Sequence, residues 1–173
     1  MRRILLDTNI YGLIADKKEA EEFKNLINKS NSIVYGCSIV RKELRDVPKT
    51  NTILTNQGVR NLRNFLLTLY DSITKDHSII INEKTNMLAE KYLAYFIQIT
   101  GKTAIEHLKN DFLLIACASI HKLDLVISND NKTLLSIDAV RAYNFINIQE
   151  ELSEMRIITY EEIKTLLKRW LPL

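Results

Sequence analysis

Leu5-Leu6-Asp7-Thr8-Asn9-Ile10 decides the fold: an apolar run ends in a carboxylate and passes at once into residues that start a helix. Read as a strand from Arg3 to Leu6 followed by a helix from Thr8 to about Ala15, the stretch puts Asp7 at a strand tip. In an open α/β sheet, ligands bind in the crevice outside the carboxyl ends of the strands, so a carboxylate delivered there is placed for chemistry. A plainer role exists for the same residue, because an Asp oxygen caps a helix by accepting hydrogen bonds from its free first-turn N–H groups. The partners of Asp7 elsewhere in the chain decide between the two.

The alternation of strand and helix continues outward from that stretch. Ala20, Phe23, Leu26 and Ile27 share one face of a second helix, Ser32 to Gly36 reads as the next strand, and Ser38 opens a helix carrying Ile39, Val40, Glu43 and Leu44 that Pro48 stops. Lys49 to Gln57 is mostly polar and is expected to be a mobile loop. Val59, Leu62, Phe65, Leu66 and Leu69 predict one helical stripe, and Ser78 to Ile81 is either a strand or a buried lead-in to a long helix from about Glu83 to Thr100. After Gly101-Lys102, a helix from about Ala104 to His121 carries the most apolar segment, Phe112 to Ala118, which belongs in the core. Asp124 to Ser128 reads as a buried strand ending in Asn129-Asp130-Asn131. Strands around Phe145 to Ile148 and Arg156 to Ile158 follow, then a helix from Tyr160 to Trp170 with Ile163, Leu166, Leu167 and Trp170 on one face. The expected fold class is α/β, with a mostly parallel central sheet flanked by helices on both faces, in one domain over residues 1–173.

Bulk properties narrow the function classes. A chain of 173 residues that is 46% hydrophobic and 26% charged is long enough for one domain with a sizeable core. Its net charge of +3 permits contact with phosphates without forming a dedicated nucleic-acid coat. Cys37 and Cys117 lie in apolar settings that suit small buried hydrophobes better than a disulfide or a zinc site, so a reducing, cytoplasmic location is expected. No stretch approaches the roughly 20 apolar residues of a membrane span, and no secretory leader is expected. With only four glycines and no Gly-rich phosphate loop after any strand, nucleotide-binding folds are disfavoured.

Four acids stand where burial or a strand tip makes them more than surface decoration: Asp7, Glu43, Asp111 and Asp130. Asp130 repeats the logic of Asp7, although Ser-Asn-Asp-Asn also suits a simple turn. Asp111 precedes the apolar core segment and shares a helix face with Leu108, Leu114, Ile115 and Ala118, where an unpaired carboxylate is expensive. Helix capping by Asn110 or Asp111 is the alternative there. Glu43, surrounded by Arg41, Lys42 and Arg45, is by itself an ordinary surface ion-pairing residue. Taken together, clustered carboxylates repel one another and persist mainly where a cation holds them. An oxygen-only donor set points to Mg²⁺ or Mn²⁺ rather than zinc. Such an ion on an α/β edge suits phosphodiester hydrolysis, by lowering the pKa of a bound water and neutralising charge on the phosphate.

Leu5-Leu-Asp7-Thr-Asn9-Ile, the acidic helix around Glu43, Asp111-Phe-Leu-Leu-Ile-Ala-Cys-Ala118 and Leu125-Val-Ile-Ser-Asn-Asp130 resemble, in order, the sequence blocks of PIN-domain nucleases, which include the toxin ribonucleases of VapBC toxin–antitoxin pairs. The resemblance covers most of the chain and is weakest between Pro48 and Lys102. It implies a PIN-like α/β/α sandwich and a metal-dependent endoribonuclease that leaves 3′-hydroxyl and 5′-phosphate ends. Asp7, Glu43, Asp111 and Asp130 would be its metal-binding acids, with Asn9 and Ser128 orienting them. It also implies an RNA substrate, an antitoxin protein as a partner if the chain is such a toxin, and a homodimer. The apolar stripes at Val59 to Leu69 and Met87 to Phe96 either supply that dimer surface or complete the core.

A haloacid-dehalogenase phosphatase also carries an acid after its first strand but needs a second Asp two residues on, where this chain has Asn9. The remaining alternative is a catalytically silent RNA-binding or adaptor protein on the same fold. Arg41, Lys42, Arg45 and Lys49, with Lys109 and Lys132, would contact phosphates in either case.

Overall fold

β1 (Arg2–Leu6) is the middle strand of a five-stranded, wholly parallel sheet in a computed structural model that describes residues 1–55, 58–102 and 108–171. Ile4, Leu5 and Leu6 are all fully buried, as expected of a central strand covered on both faces. α1 (Thr8–Asp16) and α2 (Ala20–Lys29) lead to β2 (Ser32–Cys37), which pairs with β1 from Arg2↔Ser32 to Leu5↔Tyr35. α3 (Ser38–Asp46) then runs into Val47-Pro48.

Three strands and three helices follow before the chain returns to β1. β3 (Thr52–Thr55) and β4 (Gly58–Asn61) form a separate antiparallel hairpin, and α4 (Leu62–Thr74) leads to β5 (Ser78–Ile79), which extends the sheet beyond β2. α5 (Glu83–Thr100) and α6 (Leu108–Ile120) precede β6 (Leu125–Ile127), which pairs with the other side of β1 in the register Leu6↔Ile127. α7 (Ile137–Gln149), β7 (Ile157–Ile158) and α8 (Tyr160–Arg169) complete the order β5-β2-β1-β6-β7. α5, α6 and α7 pack on one another, α1 packs on α2, α3 and α4, and α2, α3 and α4 pack on β2. The expected α/β class with a parallel sheet flanked by helices is therefore what the chain adopts. Its strand order reverses between β1 and β6, which opens a crevice at their carboxyl ends.

Three expectations about elements are corrected. The polar segment from Lys49 is not simply a loop: Thr52–Thr55 and Gly58–Asn61 pair as a hairpin, with Gly58 at φ +103°, a backbone that favours glycine. Asn56 and Gln57 lie outside the described residues, as do Ala104 to His107 of the expected helix before Leu108. Val59 is no part of the helical stripe, standing on β4 and 70% exposed. Phe145 to Ile148 is helical rather than extended, because Ala139, Ala142, Tyr143 and Ile146 form a buried helical face. Asn147 belongs to that face too, donating to Ser119 Oγ at 3.1 Å and to the Ser153 carbonyl at 3.0 Å while accepting from Tyr92 Oη. A buried amide with every partner inside the fold ties α7 to α5 and α6.

Leu66, Leu69, Leu88, Ala89, Tyr92 and Phe96 are buried, so of the two roles open to these stripes, dimer surface or core, they serve mainly the core. Cys37 and Cys117 are buried free thiols with Sγ atoms 3.8 Å apart. Among the described residues no helix is long and apolar enough to cross a membrane.

Gly36 on β2 sets a packing limit. A Cβ there would fall 2.4 Å from Tyr70 Oη and 3.3 Å from Thr74 Cβ, and Tyr70 Oη is held by donating to the Cys37 carbonyl at 3.1 Å. Gly36→Ala must push the buried ring away, which we expect to destabilise the protein by about 1–3 kcal/mol in urea denaturation. An unchanged midpoint would show that the ring moves freely.

Candidate functional site

The parallel sheet delivers its acids to one edge. Asp7 follows β1 directly and Asp130 follows β6 after Ser128 and Asn129, so the two flank the crevice where the strand order reverses. Asp7 N–H donates to the Ile127 carbonyl at 2.9 Å, which continues the β1–β6 pairing into the site.

Asp7 is only 8% exposed, and its carboxylate performs two tasks. Oδ1 accepts from Thr8 N–H at 2.6 Å and so caps α1, as the plainer reading required. Oδ2 accepts from Asn9 Nδ2 at 2.6 Å and from Ser128 Oγ at 2.7 Å. Asn9 and Ser128 are themselves 3.1 Å apart, and Asn129 N–H donates to Asn9 Oδ1 at 3.3 Å. The two polar residues singled out beside the acids thus both hold Asp7. Burial, then the charges of Glu43 and Asp130, push its pKa up, against the bonds from Ser128 and Thr8.

Asp130 forms the turn its sequence suggests: Oδ1 accepts from Lys132 N–H at 2.9 Å and Thr133 N–H at 3.0 Å, and Oδ2 accepts from Thr133 Oγ1 at 2.5 Å. Burial works against its ionised form, but these bonds outweigh it and its pKa is lowered. The same Thr133 hydroxyl also works to lower the pKa of Asp111. Asp111, in the first turn of α6, has its pKa pushed up to about 7 by burial and by the charges of Asp7, Asp130 and Glu43. Buried Tyr143 also feels the charges of Asp111, Asp130 and Asp7, each of which raises its pKa beyond the effect of burial.

Glu43 comes from α3. Its Oε2 accepts from Thr8 Oγ1 at 2.5 Å and its Oε1 from Asn110 Nδ2 at 2.6 Å. Asp111 feels the charges of the other three acids and Asp7 those of Glu43 and Asp130, and none of the four takes part in an ion pair among the described residues. The expected ion pairing of Glu43 with its basic neighbours does not form: Arg41 turns to Asp71, with both nitrogens at 3.2 Å. Lys42, Arg45 and Lys49 are exposed.

Thr8, Asn110 and Thr133 are the site-edge residues missed by sequence reasoning. Thr133 carried a signal, since an Asp followed by a hydroxyl three residues later makes an Asx-type turn. Asn110 carried none, because nothing local reveals that α6 meets α3.

As a place for a hard divalent cation, the site fits in donor chemistry: only carboxylate, hydroxyl and amide groups face one another, and mutual repulsion strains the ionised form of Asp111. The carboxylates are tied to Thr8, Asn110 and Thr133, and no three acids among the described residues stand close enough together to hold an ion as placed.

A family model described as PIN domain matches residues 4–140. Among solved structures, VapBC2 from Rickettsia felis bound to a DNA fragment from their promoter is similar, with a TM-score of 0.56 at 16% identity over 91% of this chain and 98% of that one. DNA-bound VapBC from Salmonella typhimurium is similar too, with a TM-score of 0.56 at 15% identity over 92% and 98%. Among curated proteins none matches the chain.

Proposed function

The chain belongs to the PIN domain family, and from that premise we propose that it is a divalent-metal-dependent endoribonuclease whose site is Asp7, Glu43, Asp111 and Asp130. The observation that carries the reading is four mutually repelling acids at the sheet's switch point, held by neutral donors and by no described ion pair. Structural acids of this number normally find cationic partners or protonate. We take residues 1–173 as one domain, because Val126 and Ile127 pair with Ile157 and Ile158 beyond the matched segment.

In this reading Asp7, Glu43, Asp111 and Asp130 would hold Mg²⁺ or Mn²⁺, which when bound would lower the pKa of a water and neutralise charge on the phosphate. Asn9 and Ser128 fix the plane of Asp7, and Thr133 fixes that of Asp130. Lys42, Arg45 and Lys49, exposed on and after α3, would bind flanking phosphates of the RNA. Arg41 is excluded from that role while it pairs with Asp71. The likeness to VapBC complexes supports a toxin with an antitoxin protein as partner; a homodimer remains part of the proposal but would not use the buried stripes. A cytoplasmic location is proposed with it.

The test is incubation of pure protein with structured RNA. We expect cleavage that chelator stops and Mg²⁺ or Mn²⁺ restores, leaving 5′-phosphate and 3′-hydroxyl ends. Cleavage persisting in chelator after repurification, or a 2′,3′-cyclic phosphate product, would overturn the mechanism. A silent RNA-binding protein is the second reading, favoured by the absence of three acids grouped tightly among the described residues. Retention of RNA without cleavage in saturating Mn²⁺ is its signature.

A further inference from the structure

We infer that Asn110 is a positioning residue that acts through Glu43, an inference resting on the metal-nuclease reading of the site. A glutamate on a half-exposed helix face has three rotatable bonds, and ordering it costs conformational entropy unless donors hold it in place. Here both oxygens are engaged, Oε2 by Thr8 Oγ1 at 2.5 Å and Oε1 by Asn110 Nδ2 at 2.6 Å. The two donors stand on different helices, in the first turns of α1 and α6. Each is the chain neighbour of another acid, Thr8 of Asp7 and Asn110 of Asp111. Glu43 is thereby locked in register with both: a shift of α6 that moves Asp111 carries Glu43 with it.

The chemistry of the donor matters as much as its reach. An amide N–H₂ orients a carboxylate without supplying charge, whereas a Lys or Arg at position 110 would neutralise Glu43 and compete with a cation for the same oxygen. Nearby Arg41 does not do so, being held on Asp71. Asn110 thus fixes the direction of Glu43 while leaving its full negative charge to a metal. Asn110 is exposed and packs nothing in the core, so this role is separable from folding.

The experiment titrates Mn²⁺ calorimetrically into the full chain and into Asn110→Ala, Asn110→Lys, Glu43→Gln and the Asn110→Ala/Glu43→Gln pair. Single-turnover RNA cleavage and melting in chelator are followed in parallel. Asn110→Ala is expected to weaken Mn²⁺ binding and slow cleavage by about 10-fold each, the low end for a residue supporting a metal ligand. Its melting temperature in chelator should stay that of the parent. Asn110→Lys should bind Mn²⁺ more weakly than Asn110→Ala, and in the Glu43→Gln background Asn110→Ala should have no further effect. Asn110→Ala binding Mn²⁺ within twofold of the parent, or adding its full effect to Glu43→Gln, overturns the inference while the metal-nuclease reading stands. Lys binding as well as Ala would remove the charge argument. A parent that neither binds Mn²⁺ nor cleaves RNA brings down the reading and this inference with it.

Discussion

Asp7→Asn is expected to lower RNA cleavage by at least about 100- to 1,000-fold while changing stability by less than about 1 kcal/mol. The separation follows from the two oxygens of Asp7. Oδ1 caps α1 through Thr8 N–H, and Asn caps a helix about as well as Asp. Oδ2 is the oxygen that Asn9 and Ser128 hold in place, and an amide there has neither the charge nor the lone pairs a cation needs. Losing the bond from Asn9 is offset by relief of burying a charge, since burial already pushes the Asp7 pKa up. Urea denaturation and single-turnover cleavage of one RNA, run side by side, check both halves. Parent-like cleavage by the variant would leave Asp7 a cap and nothing more.

The strand tips were the most legible part of the chain. An apolar run ending in an acid places that acid at one edge of a parallel sheet whatever the helices do, so Asp7 and Asp130 could be located from local pattern alone. Asp111 was legible through cost, as a carboxylate on the face that carries Leu108, Leu114 and Ile115. Glu43 was not, because on a helix rich in Arg and Lys its direction depends on Thr8 and Asn110, which come from 35 and 67 residues away. The same limit explains Arg41, whose partner Asp71 lies on α4. The errors of element had local causes. Phe145-Ile-Asn-Ile148 has the aromatic and β-branched composition of a strand, and only the contacts of Asn147 with Tyr92 and Ser119 show that its polar member faces inward on a helix. Lys49 to Gln57 reads as a loop, and Val59 as the start of a helical stripe, because the hairpin's two strands of four residues bury little, leaving Leu54 and Val59 exposed as a cross-strand pair.

Asp111→Asn is expected to raise the melting temperature of the metal-free protein at pH 8 and to remove most of the stabilisation that Mn²⁺ gives the parent. The native pKa of Asp111 stands at about 7 against an ordinary value of 3.8. Below pH 4 both native and unfolded chains carry the proton and the group contributes no penalty. Between about 4 and 7 the unfolded chain gives up its proton while the native state keeps it, so native stability falls as pH rises, and above 7 the full penalty is reached. With the carboxyl partly open to solvent, we expect that penalty to be about 1–3 kcal/mol, or roughly 3–10 °C in melting temperature for a chain of this size. Asn has the same shape and does not titrate, so the contribution of this site to the pH dependence should vanish in the variant. Mn²⁺ stabilises whatever binds it in the native state alone, and a site short of one charge must gain less. Melts of parent and variant from pH 4 to 8, in chelator and in Mn²⁺, separate the possibilities. A variant that melts below the parent in chelator at pH 8, yet gains as much from Mn²⁺, would show that Asp111 is neither strained nor a ligand.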